Sequence, residues 1–236
     1  MAWIAGVDGC RAGWVVVLGQ YDSTDISIQD IQLCPRFDDV LALRPTPGVI
    51  AIDIPIGLLD NPQPGGRDCD RQARHLLGRR ASSVFSPPCR RILDATHYDQ
   101  VRKHGISRQA FGILPKIRQV DQFITPDLQQ MVYEAHPELA FLSLTGKPIP
   151  LNKKTAGGRE ARLQALSKTP TEPLGNVRPA LRRGLKTFKR SQVAPDDLLD
   201  ACVLVWTAYR IINNQANHVP THRQIDRRGL RMEIWY

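Results

Sequence analysis

Four carboxylates stand where the surrounding sequence gives no ordinary reason for a charge. Asp53 interrupts the run VIAIDIPI, which is apolar on both parities and therefore reads as a strand buried on both faces. An isolated ionised carboxylate there is costly unless it is paired or bound to a cation. Its place at the end of the run, just before Pro55 and Gly57, offers a way out by bringing it to the sheet's rim. Asp8 holds the matching place at the end of the first apolar run, between Gly6 and Gly9, where backbone or ligand can come close. Glu134 lies in the short run MVYEA, ahead of His136 and Pro137. Asp200 sits in the second turn of PDDLLDACVLVW, an otherwise apolar helix, and shares a face with Asp197 at i, i+3. Asp196 and Asp197 themselves fit the first turn as partners of the helix dipole.

Taken singly, each acid can be explained by an arginine partner. If they converge, each pair repels by about 4 kcal/mol at roughly 4 Å and an effective dielectric near 20. Hard divalent cations with oxygen ligands, Mg²⁺ or Mn²⁺, are the natural remedy. Two such ions in a carboxylate cluster activate water for in-line attack on a phosphodiester. His136 is secondary, because a lone histidine is more often structural than a ligand.

The elements that must position these groups follow from patterning. Apolar runs at residues 4–8 and 13–19, joined by GCRAG, and an imperfect alternation over 25–33 predict three consecutive antiparallel strands. RFDDVLALR predicts a helix ended by Pro45 and Pro47, and residues 49–56 the central strand. After NPQPGG the texture changes to helical candidates such as 67–80 and 108–123. A short strand at 131–135 is followed by helical candidates at 138–144, 159–167 and 179–189, with TPTEPLGNVRP between the last two. Pro195 opens a helix running to about Ile212, and LRMEIWY is expected to close the sheet as an edge strand. The expectation is one mixed α/β domain over 1–236, with a basic helical insertion at about 61–130.

Charge is segregated. Of 32 Lys and Arg, 12 fall within residues 66–118 against four acids, and 12 more within 147–190 against two. The rest of the chain is acidic. Two basic segments on an acidic frame suit a phosphate-rich ligand such as nucleic acid, and equally suit solvated helices. Within the first segment Arg67, Arg71 and Arg74 fall at i, i+4, i+7, and Ser82 and Ser83 follow. Arginine forks and hydroxyls match phosphate oxygens, with internal pairing to Asp68 and Asp70 as the alternative. Lys153 and Lys154, before Gly157 and Gly158, repeat the idea, although KKTAGGR lacks the P-loop pattern.

GVDGCRAGW, AIDIPIGL, GGRDCDRQARHLLGRRASSVFSPP, YEAHPE and DDLLDA together resemble an uncharacterised family of predicted RNase H-like nucleases, the domain of unknown function numbered 429. At superfamily level the pattern is similar to RuvC-type resolvases. The resemblance runs from Val7 to about Tyr209. It implies an RNase H-like mixed sheet whose first three strands are antiparallel, flanked by helices. It also implies a metal site of Asp8, Asp53, Asp197 and Asp200, the last two acting as the resolvases' final carboxylates. Glu134, a candidate catalytic acid on its strand position, lies outside that resolvase set.

Five cysteines without a CxxC pair argue against a disulfide framework or a zinc knuckle. MAWIAGVDG has neither a basic region nor a cleavable apolar segment, and residues 198–212 are too short and too charged to span a bilayer. A cytoplasmic protein with no membrane partner is expected. A divalent-metal-dependent nuclease is the leading expectation. A non-catalytic nucleic-acid-binding or regulatory module remains open, as does, more weakly, an actin-like phosphotransferase suggested by GVDGCRAG but lacking a second Asp-x-Gly hairpin.

Overall fold

The computed structural model describes residues 1–22, 25–167 and 174–236. The chain opens with β1 (Ala2–Cys10), β2 (Gly13–Tyr21) and β3 (Ile26–Cys34), continues through α1 (Phe37–Leu41), and then forms β4 (Val49–Ile52). With β5 (Val132–Glu134) these make a five-stranded sheet in the order β3-β2-β1-β4-β5. The pairs β1–β2 and β2–β3 are antiparallel, whereas β1–β4 and β4–β5 are parallel. The sheet is therefore mixed.

Both faces of the sheet are covered, which explains why its strands are apolar on both parities. One face carries α9 (Pro195–Ile212), where Ile4, Val17, Val49 and Ala51 join Ala201, Val205 and Ala208 in one core. On the other face Ala5, Val7, Val16 and Ile52 meet Phe37 and Val40 of α1 and Ile117 and Val120 of α5 (Leu114–Phe123). Gly6 sets how closely α9 approaches, since a Cβ there would lie 2.1 Å from the Ala201 carbonyl and 2.4 Å from the Val205 nitrogen. Only a residue without a side chain lets the helix cross β1 at this height.

Between β4 and β5 lie α2 (Asp68–Leu77), a 3₁₀ segment at Gly78–Ser83, α3 (Tyr98–Arg102), α4 (Arg108–Gly112) and α5. The helix expected over 108–123 is broken at Ile113, because Pro115, in the first turn of α5, has no N–H to continue the ladder. The strand expected over 49–56 ends at Ile52, with Pro55 leaving only bends beyond it. After β5 come α6 (Pro137–Thr145), α7 (Ala156–Ser167) and α8 (Val177–Thr187). Residues 169–173 of the TPTEPLGNVRP connection lie outside the described residues, and its end from Val177 already belongs to α8. The C-terminus does not form a full edge strand. Residues Ile234–Trp235 (β7) pair with His218–Val219 (β6) in a separate two-stranded ladder, and Trp235 reaches the main sheet through one bridge to Ala135. All five cysteines are buried and free. No helix of the described residues is long and apolar enough to cross a membrane.

Candidate active site

Strand parity brings the acids together. Ile4, Gly6 and Asp8 point to the α9 face of β1, and Val49, Ala51 and Asp53 continue the same face of β4. Val7 pairs with Ile52, so Asp8 and Asp53 are the next neighbours in register, and the Asp53 amide donates to the Val7 carbonyl at 3.0 Å. Two carboxylates thus stand side by side on adjacent parallel strands. Above them α9, held close by Gly6, presents Asp200 one turn before the crossing point. Asp8 is 8% exposed and Asp200 1%.

Electrostatics follow from that crowding. Burial, then the charges of Asp53 and Asp200, push the Asp8 carboxyl well above the usual carboxylate range. Asp53 is raised by burial, against the pull of His136 and Lys153. Asp200 is pushed up to about 6 by burial, although Lys153 pulls it down. Lys153 Nζ donates to Asp200 Oδ2, and this pairing, reinforced by Asp8 and Asp53, raises the ammonium pKa further. Asp197 is more peripheral. Its Oδ2 accepts the Ala194 amide at 2.8 Å, capping α9, while its charge still reaches Asp8.

Asp8 and Asp53 floor a cleft of about 430 Å³ whose walls are cationic and hydroxylic, with Asp200 buried behind it. Arg80, Ser82 and Ser83 come from the 3₁₀ segment, Lys116 from α5, and Lys153 and Lys154 from the loop before α7. Lys116 Nζ donates to the Gly13 carbonyl at 2.6 Å and lies 5.0 Å from the centre of the Trp14 ring. An acidic floor beneath a basic rim can hold cations below a phosphate.

Three expected site arginines and one carboxylate are placed elsewhere. Arg67 is 1% exposed, so a solvent face shared with Arg71 and Arg74 does not form. Its guanidinium bonds Asp70 at 2.7 Å and Glu134 at 2.6 and 2.8 Å, and donates to the carbonyls of Ile56 and Gly57. Arg71 and Arg74 tie down the preceding turn through the Gly66 and Gly65 carbonyls. Glu134 also accepts the Ile56 amide at 2.7 Å. The register explains its absence from the cluster: Ile52 pairs with Glu134, so Ala135, not Glu134, follows beside Asp53 on the α9 face. Glu134 and Arg67 form a buried clamp on the loop that leaves Asp53.

Sequence reasoning missed Glu138, in the first turn of α6. It is 4% exposed, lines the cleft, and accepts Arg80 and Arg162 at 2.9 and 2.6 Å on Oε1 alone. It is the last residue of the YEAHPE motif, whose other acid, Glu134, drew the attention.

The cluster's chemistry suits a hard divalent cation. Asp200 Oδ1 and Glu138 Oε2 are buried acceptors without a partner. The Asp53 carboxylate takes no hydrogen bond from the described residues. Lys153 is the cation closest at hand for three mutually repelling acids. Oxygen donors in excess of positive charge are what Mg²⁺ or Mn²⁺ requires. In spacing, however, no group of three His, Cys, Asp or Glu side chains among the described residues is disposed to hold a metal ion.

These features define a mixed α/β protein with an acidic cleft at the ends of two parallel strands. The chain belongs to the family described as Protein of unknown function (DUF429), whose profile matches residues 6–225. A search of curated proteins gave no match.

Proposed function

We propose that this protein is a divalent-metal-dependent nuclease of RNase H-like type, hydrolysing nucleic-acid phosphodiesters at the cleft. The observation that carries the reading is the side-by-side placement of Asp8 and Asp53 on parallel strands beneath Asp200, with a basic rim above. Asp8, Asp53 and Asp200, with Asp197 at the edge, would hold Mg²⁺ or Mn²⁺. Bound there, two ions supply activation of water and neutralisation of charge on the phosphate.

The chain's own residues have separable tasks. Lys154, Ser82 and Ser83 suit the phosphate backbone, because ammonium and hydroxyl donors position a strand without reading its bases. Lys153 balances the acids while the cleft is free, and its stem is long enough to release Asp200 and turn to a phosphate oxygen. Glu134 and Arg67 hold the loop behind Asp53, fixing that carboxylate without touching substrate.

The test is cleavage of labelled single-stranded DNA and RNA in Mn²⁺ or EDTA by wild type and Asp8→Asn. The reading predicts Mn²⁺-dependent cleavage that the variant lacks. Cleavage that persists in EDTA, or is unchanged in Asp8→Asn, contradicts it. The Lys153–Asp200 pair favours a second reading, in which a built-in ammonium replaces metal and the cleft binds nucleic acid without chemistry. That module would show salt-sensitive binding indifferent to Mn²⁺.

A further inference from the structure

The fold treats the two basic segments of the chain differently. In the first, Arg67, Arg71, Arg80, Arg90 and Arg118 all pair with carboxylates, so their charge is neutralised within the molecule. In the second it is left open. α8 buries Val177, Ala180, Leu181 and Gly184, and a Cβ on Gly184 would lie 3.1 Å from Ile31 Cδ1 of β3 and 3.2 Å from Leu198 Cδ2 of α9. The helix is thereby fixed with its opposite face outward. That face and the turn after it expose Arg182, Arg183, Lys186, Lys189 and Arg190. Among the described residues none of these five side chains has an ion pair or a hydrogen bond, whereas Arg178, at the start of α8, pairs with Glu160 at 2.8 Å. The helix dipole accounts for Lys186 in the last turn but not for Arg182 and Arg183 before it. Like charges three and four residues apart repel and weaken a helix, so the array calls for an anion that bridges it.

The strip also leads somewhere. Lys189 and Arg190 open the turn into α9, where the Gln192 carbonyl accepts the Ala12 amide at 3.2 Å. Ala12 lies in the β1–β2 turn beside Arg11, which is exposed and whose charge acts on Asp197. Asp197 in turn acts on Asp8 in the cleft. The row of cations therefore runs along α8 toward the end of the molecule that holds the acids.

We propose that Arg182, Arg183, Lys186, Lys189 and Arg190 form a docking surface, outside the cleft, for the phosphate backbone of a nucleic-acid strand, and that Arg11 continues it to the cleft's edge. The proposal rests on the nucleic-acid partner of the reading above, but not on metal or cleavage. Arginine forks and ammonium groups match phosphate oxygens, and each contact releases counterions from the strand. Phe188 packs into the core instead of standing on this face as a platform for a base. The surface therefore holds the backbone without regard to sequence, and a strand that reaches from α8 to the cleft is held better than one confined to the cleft.

Fluorescence anisotropy of a labelled single-stranded DNA oligonucleotide, titrated with the full chain in EDTA over about 50–200 mM salt, tests this. The strip variant carries Arg183→Gln, Lys186→Gln and Arg190→Gln, all at exposed positions. A control variant carries Arg102→Gln, Lys103→Gln and Arg223→Gln, which lower the net charge equally at exposed positions that do not line the cleft. Wild type is expected to bind without metal, with affinity that falls steeply as salt rises. The strip variant should lose about 2 from the slope of log K against log salt, at about 0.7 per lost phosphate contact, and bind at least about tenfold more weakly at about 0.1 M salt. The control should match wild type. An unchanged slope in the strip variant overturns the docking surface and leaves the cleft reading intact. An equal fall in the control also overturns it, because binding then follows overall charge. No binding by wild type overturns it together with the nucleic-acid partner. A reduced slope in the strip variant alone, with no Mn²⁺-dependent cleavage by wild type, supports the docking surface while the nuclease reading fails.

Discussion

Replacing Asp53 by Asn should make the metal-free protein more stable, the opposite of what loss of a structural ion pair would do. Asp8 and Asp53 are register neighbours on parallel strands, so their charges lie at roughly the inter-strand spacing of about 5 Å. At an effective dielectric near 20 that repulsion is about 3 kcal/mol. His136 and Lys153 offset part of it, and the amide keeps the side chain's shape. A net gain of about 1–2 kcal/mol remains, which at this chain length is a rise of roughly 3–6 °C in Tm. The pH dependence has a definite sign. Asp8, Asp53 and Asp200 are all raised above their unfolded values, Asp200 to about 6. Their contribution is therefore present in full below the unfolded pKa and lost as pH rises through the folded one. The gain in Asp53→Asn should be larger near pH 7.5 than near pH 4.5. Urea denaturation in EDTA at both values is the assay. In saturating Mn²⁺ the order should reverse, because wild type gains about 2.7 kcal/mol at a hundredfold excess over Kd. A variant less stable than wild type in EDTA at pH 7.5, or a gain that ignores pH, refutes the reasoning.

Other substitutions separate positioning from binding. Arg67→Met breaks a buried network with Glu134 and Asp70, and should cost about 3–5 kcal/mol in urea denaturation. A neutral result with weakened nucleic-acid binding would return Arg67 to the substrate set. Lys153→Met removes the partner of a buried carboxylate whose own head is partly exposed. It should lower metal-free stability by about 2 kcal/mol and tighten Mn²⁺ binding, and unchanged Mn²⁺ affinity would show that the ammonium does not compete with metal. Gly6→Ala forces a Cβ against α9 and should cost about 3 kcal/mol in thermal unfolding, with an unchanged Tm contradicting the close crossing.

Much of the fold and half of the site were legible because both are encoded locally. Apolar runs and Gly turns mark β1 to β3, and an acid ending a doubly apolar run marks Asp53. The same alternation, carried one step further, separates Asp53 from Glu134. With Ile52 opposite Glu134, the strand acid must face away from α9, but that register depends on a pairing between distant parts of the chain that no local pattern supplies. Arg67 looked like the first member of an arginine stripe because helical spacing counts it with Arg71 and Arg74. As the residue capping α2 it turns inward instead. Glu138 went unnoticed because an acid in a helix's first turn has a sufficient local explanation. Only tertiary packing reveals that one of its oxygens is bare. Lys153 was recognised as basic, yet its pairing with Asp200 spans 47 residues and follows from the loop's path alone.

The central claim is that Asp8 is a ligand of a divalent-cation site. Calorimetric titration of Mn²⁺ into wild type and Asp8→Asn at pH 7.5 tests it most directly. The account predicts saturable binding in wild type that Asp8→Asn loses while remaining folded. Absence of saturable binding in wild type, or binding undiminished in Asp8→Asn, would contradict it and leave a cleft whose acids are balanced by Lys153.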